Sequence, residues 1–127
     1  MLIFPYNQNE NPPAPYIEVV ISPSKKTDAR TLRKAKIDSG ASLTVIPDNL
    51  VSQWNLQIRR KIRVRGYDGH ASERYTYLID VFIGSQHFET IEVTCSRRVN
   101  ILLGRDVLNK LRITHDGPRQ IVVIHNV

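Results

Sequence analysis

The stretch KAKIDSGASLTVIP, residues 34–47, sets one carboxylate, Asp38, at the end of an apolar alternating run and follows it with Ser39, Gly40 and Ala41. A strand ending here exposes its last side chain, and Gly40 lets the backbone turn tightly and approach a partner closely. A carboxylate so placed can accept backbone N–H bonds and stay ionised. Asp before Ser and Gly is equally a common cap for an Asx-type turn. The local pattern leaves both roles open. A second stretch, NILLGRDVLNKL at residues 100–111, combines a compact apolar run (Ile101, Leu102, Leu103), a turn at Gly104, and a short helix from Asp106 with Val107, Leu108 and Leu111 inward. Alone, it reads as a buried strand followed by a helix.

Other groups with chemical potential are few. Cys95 is the single cysteine, so neither an intrachain disulfide nor a one-chain thiolate metal cluster can form. His70, His87, His115 and His125 lack tight ligand spacing, and no metal site is expected. Asp80 lies in an alternating stretch and Asp116 precedes Gly117, which predicts strand surface for the first and turn capping for the second.

The elements that must position Asp38 are mostly short strands. Strands are predicted at residues 16–22, 32–37, 87–94, 112–115 and 120–125, with a short helix beginning at Pro47, Asp48 and Asn49 and turning Leu50, Val51, Trp54 and Leu56 inward. IRVRG, the turn YDGH and RYTYLIDVFIG form a candidate hairpin with Asp68 and Gly69 at its tip. Residues 1–15, rich in Asn and Pro, are expected to be an irregular arm, because Pro12, Pro13 and Pro15 cannot donate ladder hydrogen bonds. The folded body is expected at residues 16–127 as one domain. Eighteen Lys and Arg against twelve Asp and Glu give a net charge of +6, which favours contact with acidic partners or nucleic acid without bearing on fold. There is no basic leader with an apolar core and no apolar run of membrane-spanning length, so a soluble, cytoplasmic, reducing setting without membrane contact is expected.

The ordered pair IDSGAS and ILLGRDVL resembles the two motifs of the retroviral-like, or retropepsin-like, aspartic protease family. LTVIPDNLVSQWNL is similar to the segment after that family's active-site loop, and VRGYDGHAS to its flap. The resemblance implies an all-β fold: a retropepsin-like acid protease barrel, one lobe per chain, with one or two short helices. It implies an aspartic endopeptidase with no cofactor and no metal, acting on a polypeptide in extended conformation. Such chemistry needs two carboxylates sharing a proton. The chain has a single DSG motif, so the resemblance implies a homodimer with one Asp38 from each copy.

By resemblance Asp38 is the catalytic carboxylate, and Ser39 carries the hydroxyl that reaches the partner's loop. Gly40 turns backbone amides toward the dyad, and Ala41 is the small residue beside it. Ser42, Gly66, Tyr67, Asp68, Gly69 and His70 fall at substrate-binding positions. Leu103, Gly104, Arg105 and Asp106 support the site structurally. Viral members commonly carry an acidic residue at the position of Ser42, pairing with the Arg of the second motif, so Arg105 is expected to lack that partner. The apolar C-terminal strand belongs either to a dimer interface of interleaved termini or to the core of its own chain.

Two other readings stay open. One is a noncatalytic peptide-binding or adaptor domain of the same fold, against which the intact DSGA and LLGRD motifs count. The other is a small basic β-barrel that binds nucleic acid through Arg59, Arg60, Lys61, Arg63 and Arg65, with Tyr67, Tyr75 and Tyr77 nearby. Arg63 and Arg65 alternate with Ile62 and Val64, so a solvated strand face accounts for them without nucleic acid.

Overall fold

The computed structural model describes residues 1–66 and 68–127. Its elements in chain order are β1 (Leu2–Pro5), β2 (Tyr16–Pro23), β3 (Thr31–Ile37), β4 (Val45–Pro47), α1 (Asp48–Gln53), β5 (Arg60–Arg65), β6 (Ala71–Ile83), β7 (Gln86–Ser96), β8 (Ile101–Leu103), α2 (Arg105–Leu108), β9 (Arg112–Asp116) and β10 (Ile121–His125). Among the described residues, no helix is long and apolar enough to cross a membrane.

Apolar alternation along the strands builds the core. Ile17, Val19 and Ile21 of β2 and Ile79, Val81 and Ile83 of β6 are each at most 1% exposed. Burying side chains of this size stabilises the fold by about 1.5–3 kcal/mol each. Strands β2, β3, β8, β4, β7 and β6 follow one another by hydrogen bonding, and β2 pairs again with β6, closing a six-stranded barrel. The expected all-β, retropepsin-like single lobe with two short helices is thus what the chain forms. Parallel pairing of β3 with β8 sets Ile37 opposite Leu103, so the residues that follow each strand, Asp38 and Gly104, leave the barrel side by side.

The β5–β6 hairpin stands apart from this core. Arg60 to Arg65 pair with Ala71 to Thr76, yet β5 has no buried residue and Ala71 to Tyr75 are all exposed. Only the second half of β6 enters the barrel.

The N-terminal residues depart from the expected irregular arm. Leu2–Pro5 form β1, which pairs with β10, and β10 pairs on its other side with β9. Leu2 and Phe4 pack against the core, and β1 covers the edge that a β9–β10 hairpin would leave open. The rest of the arm folds back: Asn7 bridges Ala14, the Ile37 N–H donates to the Pro15 carbonyl, and Lys36 Nζ donates to Glu10 Oε1 at 2.6 Å. The C-terminal strand is therefore paired on both sides within its own chain, with Val122 and Ile124 fully buried.

The contrast between barrel and hairpin predicts unequal mutational costs. Ile79→Ala should destabilise the protein by about 2–5 kcal/mol, whereas Val64→Ala on the hairpin should change stability by about 0.5 kcal/mol or less. Urea unfolding of the two variants measures both.

Candidate active site

Asp38 is half-buried at the end of β3, while Ser39, Gly40 and Ser42 are exposed. Its backbone N–H continues the β3–β8 ladder by donating to the Leu103 carbonyl at 3.0 Å, and its Oδ1 accepts the Gly40 N–H at 2.9 Å. This last bond is the Asx-type turn of the second sequence reading. The turn and the presentation of a carboxylate are one geometry, because the bond engages a single carboxylate oxygen and leaves Oδ2 available.

The second motif fixes the back of this loop. Arg105 Nη1 donates to the Ser39 carbonyl at 2.7 Å, and the Arg105 N–H donates to the Ala41 carbonyl at 2.9 Å. Arg105 thus replaces the acidic partner that Ser42 does not provide with a backbone carbonyl. Side-chain patterns carry no signal for such a partner.

Asp106 closes the knot. Its Oδ1 accepts the Thr44 hydroxyl at 2.7 Å and the Val107 N–H at 2.9 Å, and its Oδ2 accepts the Thr44 N–H at 3.0 Å. The Thr44 oxygen in turn accepts the Gly104 N–H at 3.1 Å. Thr44 is 1% exposed and was not singled out by sequence reasoning. The one available signal is a hydroxyl-bearing residue inside the apolar LTVIP. Gly104 is required by close approach: a Cβ there would lie 2.7 Å from the Leu43 carbonyl carbon and 2.8 Å from its oxygen. Leu103 is fully buried in the core beneath both loops.

The expected substrate positions on the hairpin are brought together at its tip. The Gly66 N–H donates to the His70 carbonyl, the Gly69 N–H to the Gly66 carbonyl, and the His70 N–H to Asp68 Oδ1, each at 3.0 Å. Gly69 has φ +83°, the left-handed region that favours glycine. Tyr67 lies outside the described residues. At the other end the hairpin is tied to the barrel by Glu92 on β7, a residue the sequence did not mark. Arg60 donates to both Glu92 oxygens at 2.7 and 2.8 Å, and the buried Thr76 hydroxyl donates to Oε2 at 2.7 Å. The Arg60 bonds, followed by the Thr76 bond, hold the Glu92 carboxyl down at about 2.

The remaining carboxylates separate from the site. Asp116 Oδ1 accepts the Arg119 N–H, the turn-capping role expected of it. Asp80 is not on the strand surface as expected: it is 1% exposed, with its oxygens bonded to His87 Nε2 at 2.8 Å and the Thr90 N–H at 3.0 Å. Burial opposes its ionised form, but the bonds from Thr90 and His87 prevail and its pKa is lowered. The alternation of β6 holds, with Ile79 and Val81 on the core face and Asp80 on the other; the extra residue at the register shift lies on β7, whose His87 and Thr90 bond Asp80. Among the described residues, no group of three or more His, Cys, Asp or Glu side chains is arranged to hold a metal. A cavity of about 640 Å³ is lined by Trp54, Leu56, Ile58 and Leu78, among others, and includes neither loop of the site.

Two outcomes follow from these contacts. Gly104→Ala should destabilise the fold by about 1–3 kcal/mol through overpacking, read by thermal or urea unfolding. Glu92 has a folded pKa below its ordinary 4.5, so its ion pair stabilises fully above pH 4.5, and that stability is lost as pH falls through about 2. The stability gap between wild type and Glu92→Gln should therefore be flat from neutral pH down to about pH 5 and vanish below about pH 2.

Residues 28–110, more than half of the chain, match the family described as "gag-polyprotein putative aspartyl protease". No curated relative matches the chain. Among solved structures, the chain is similar to a retropepsin-like aspartic protease from Rickettsia conorii, with a TM-score of 0.65 and 17% identity over 97% of this chain and 88% of that one. It is similar to the EIAV protease complexed with the inhibitor HBY-793, with a TM-score of 0.57 and 19% identity over 84% of this chain and 93% of that one. A third similarity is to the retroviral protease-like domain of Ddi1 from Leishmania major, with a TM-score of 0.51 and 16% identity over 89% and 90% of the two chains. The family match spans both motif loops, which the β3–β8 pairing sets side by side, and the similar structures share the fold: the chain belongs to the gag-polyprotein aspartyl protease family and has a retropepsin-like fold.

Proposed function

We propose that the chain is an aspartic endopeptidase whose active site forms between two copies, each giving one Asp38. The observation that carries this reading is the lone Asp38 carboxylate on an exposed loop whose rear is locked by Arg105 and by the Thr44–Asp106 bonds. A loop so fixed is positioned for chemistry, and one carboxylate is half of what the chemistry needs.

In the homodimer the two Asp38 side chains share one proton and hold a water between them. The ionised carboxylate takes a proton from the water as its oxygen bonds to the peptide carbonyl carbon, and the protonated carboxyl gives its proton to the carbonyl oxygen. The resulting gem-diol collapses when the amide nitrogen receives a proton from the dyad and the C–N bond breaks. The products are a carboxylic acid and an amine, and neither metal nor cofactor takes part. Ser39 reaches across to the partner's loop, and Gly40 turns its N–H groups toward the dyad. Ser42 and the hairpin residues Gly66 to His70 hold the extended peptide, with the β5–β6 hairpin acting as the flap. Because β10 is already paired on both sides, strand contacts between copies use the outer edges of β1 and β9.

Asp38→Asn should lower cleavage of an unstructured peptide by about 10²–10⁴-fold at every pH between about 4 and 7, with an unchanged circular-dichroism spectrum. Undiminished cleavage by this variant would remove Asp38 from the reaction.

A further inference from the structure

The β5–β6 hairpin concentrates the charge of the molecule. Residues 59–75 hold six Lys and Arg against two Asp and Glu, a net +4 within a chain of net +6. Strand parity decides where those cations point. Tyr77 and Ile79 of β6 face the barrel interior opposite Val93 and Ile91. Counting back by twos, Tyr75, Glu73 and Ala71 continue that same face of the strand. Their partners across the hairpin are Lys61, Arg63 and Arg65, which share it. The opposite face carries Thr76 and Arg60, both turned to Glu92.

The barrel-side face of the hairpin therefore bears a row of three cations at every second residue, about 6.7 Å apart. Their charges are poorly compensated. Lys61 lies 3.5 Å from Glu73 and over the Tyr75 ring, and Arg65 donates to the uncharged Gly69 carbonyl. Arg63 has no ion-pair or hydrogen-bond partner among the described residues, although Glu73 is directly opposite. Charges spent on holding a fold are paired, as Arg60 is. These are exposed and aligned, on the face that a covering flap turns toward its ligand.

An extended peptide lying along this face turns every second side chain toward it, at the same spacing. We infer that Lys61, Arg63 and Arg65 select extended polypeptides that carry Asp or Glu at alternating positions. The inference rests on the endopeptidase reading, since it takes the hairpin as the cover of the peptide cleft.

The test is a set of matched peptides with Glu, Gln or Lys at two alternating positions, assayed at low salt and about pH 6, where Glu is ionised. Cleavage by wild type and binding to Asp38→Asn by fluorescence anisotropy are read in parallel. Glu peptides should be favoured over Gln peptides by about two- to five-fold per matched pair. The preference should shrink as salt rises through the range where the Debye length falls below about 10 Å. Arg63→Gln should reduce the ratio and Arg63→Glu should invert it toward Lys peptides, with thermal melting confirming that both variants fold.

Equal cleavage of all three peptides, dependent on Asp38, would overturn the selectivity and leave the protease reading standing. Cleavage of none would count against the protease reading, and anisotropy would then decide the selectivity: equal binding overturns it. Tighter binding of a single-stranded oligonucleotide than of the Glu peptide would also overturn it.

Discussion

The carboxylate of Asp106 is the point on which the candidate site depends. It accepts three hydrogen bonds, two of them from Thr44, and so ties the start of α2 to the strand that follows the Asp38 loop. Hydrogen bonds to a charged group contribute about 1.5–3 kcal/mol each, well above the few tenths at stake in local turn preferences. Removing the carboxylate would leave the N–H and hydroxyl donors of the buried Thr44 without their acceptor, a second cost of the same order. The exposed Ser39 and Gly40 can therefore keep one geometry without burying anything themselves. The order is imposed from behind, by Thr44, Gly104 and Asp106.

Parallel pairing of β3 with β8 is what makes this tie possible. Two motifs about sixty residues apart leave adjacent strands at the same end, and Gly104 lets the chains approach within contact distance of Leu43. The hairpin obeys a different economy. Its projecting part, Arg60–Arg65 with Ala71–Tyr75, has no buried side chain and is tied to the barrel by the Glu92–Arg60–Thr76 cluster. Low burial places it among the elements that can move at small free-energy cost. The Arg60 and Thr76 bonds hold the Glu92 carboxyl down at about 2, so this tie persists in mildly acidic solution.

Much of this was legible in the sequence because it is local. IDSGAS and ILLGRDVL each bound an apolar run to a turn, and both lie where their patterns place them, at strand ends. What escaped was non-local or hidden by its surroundings. Strand β1 is four residues beside a Pro-rich segment, and its reason to exist is the open edge of β10, more than a hundred residues away. Asp80 was misread because its face of β6, outward by alternation, is engaged by His87 and Thr90 from the irregular stretch of β7. Thr44 was lost inside an apolar run, and Glu92 inside an ordinary alternating strand, because each matters through a partner from another element. The partner of Arg105 is a backbone carbonyl, which every residue type supplies. Composition alone yields only an excess of basic residues, net +6. Register places Arg60 on the face turned to Glu92 and aligns Lys61, Arg63 and Arg65 on the other.

In the proposed enzyme two copies each supply one Asp38. The most direct test mixes wild type with Asp38→Asn at constant total concentration, allows the subunits to exchange, and measures peptide cleavage against the wild-type fraction. If the dyad forms between copies, mixed dimers hold one working carboxylate and activity falls as the square of that fraction. A linear fall would mean that each chain cuts alone, and would contradict the account.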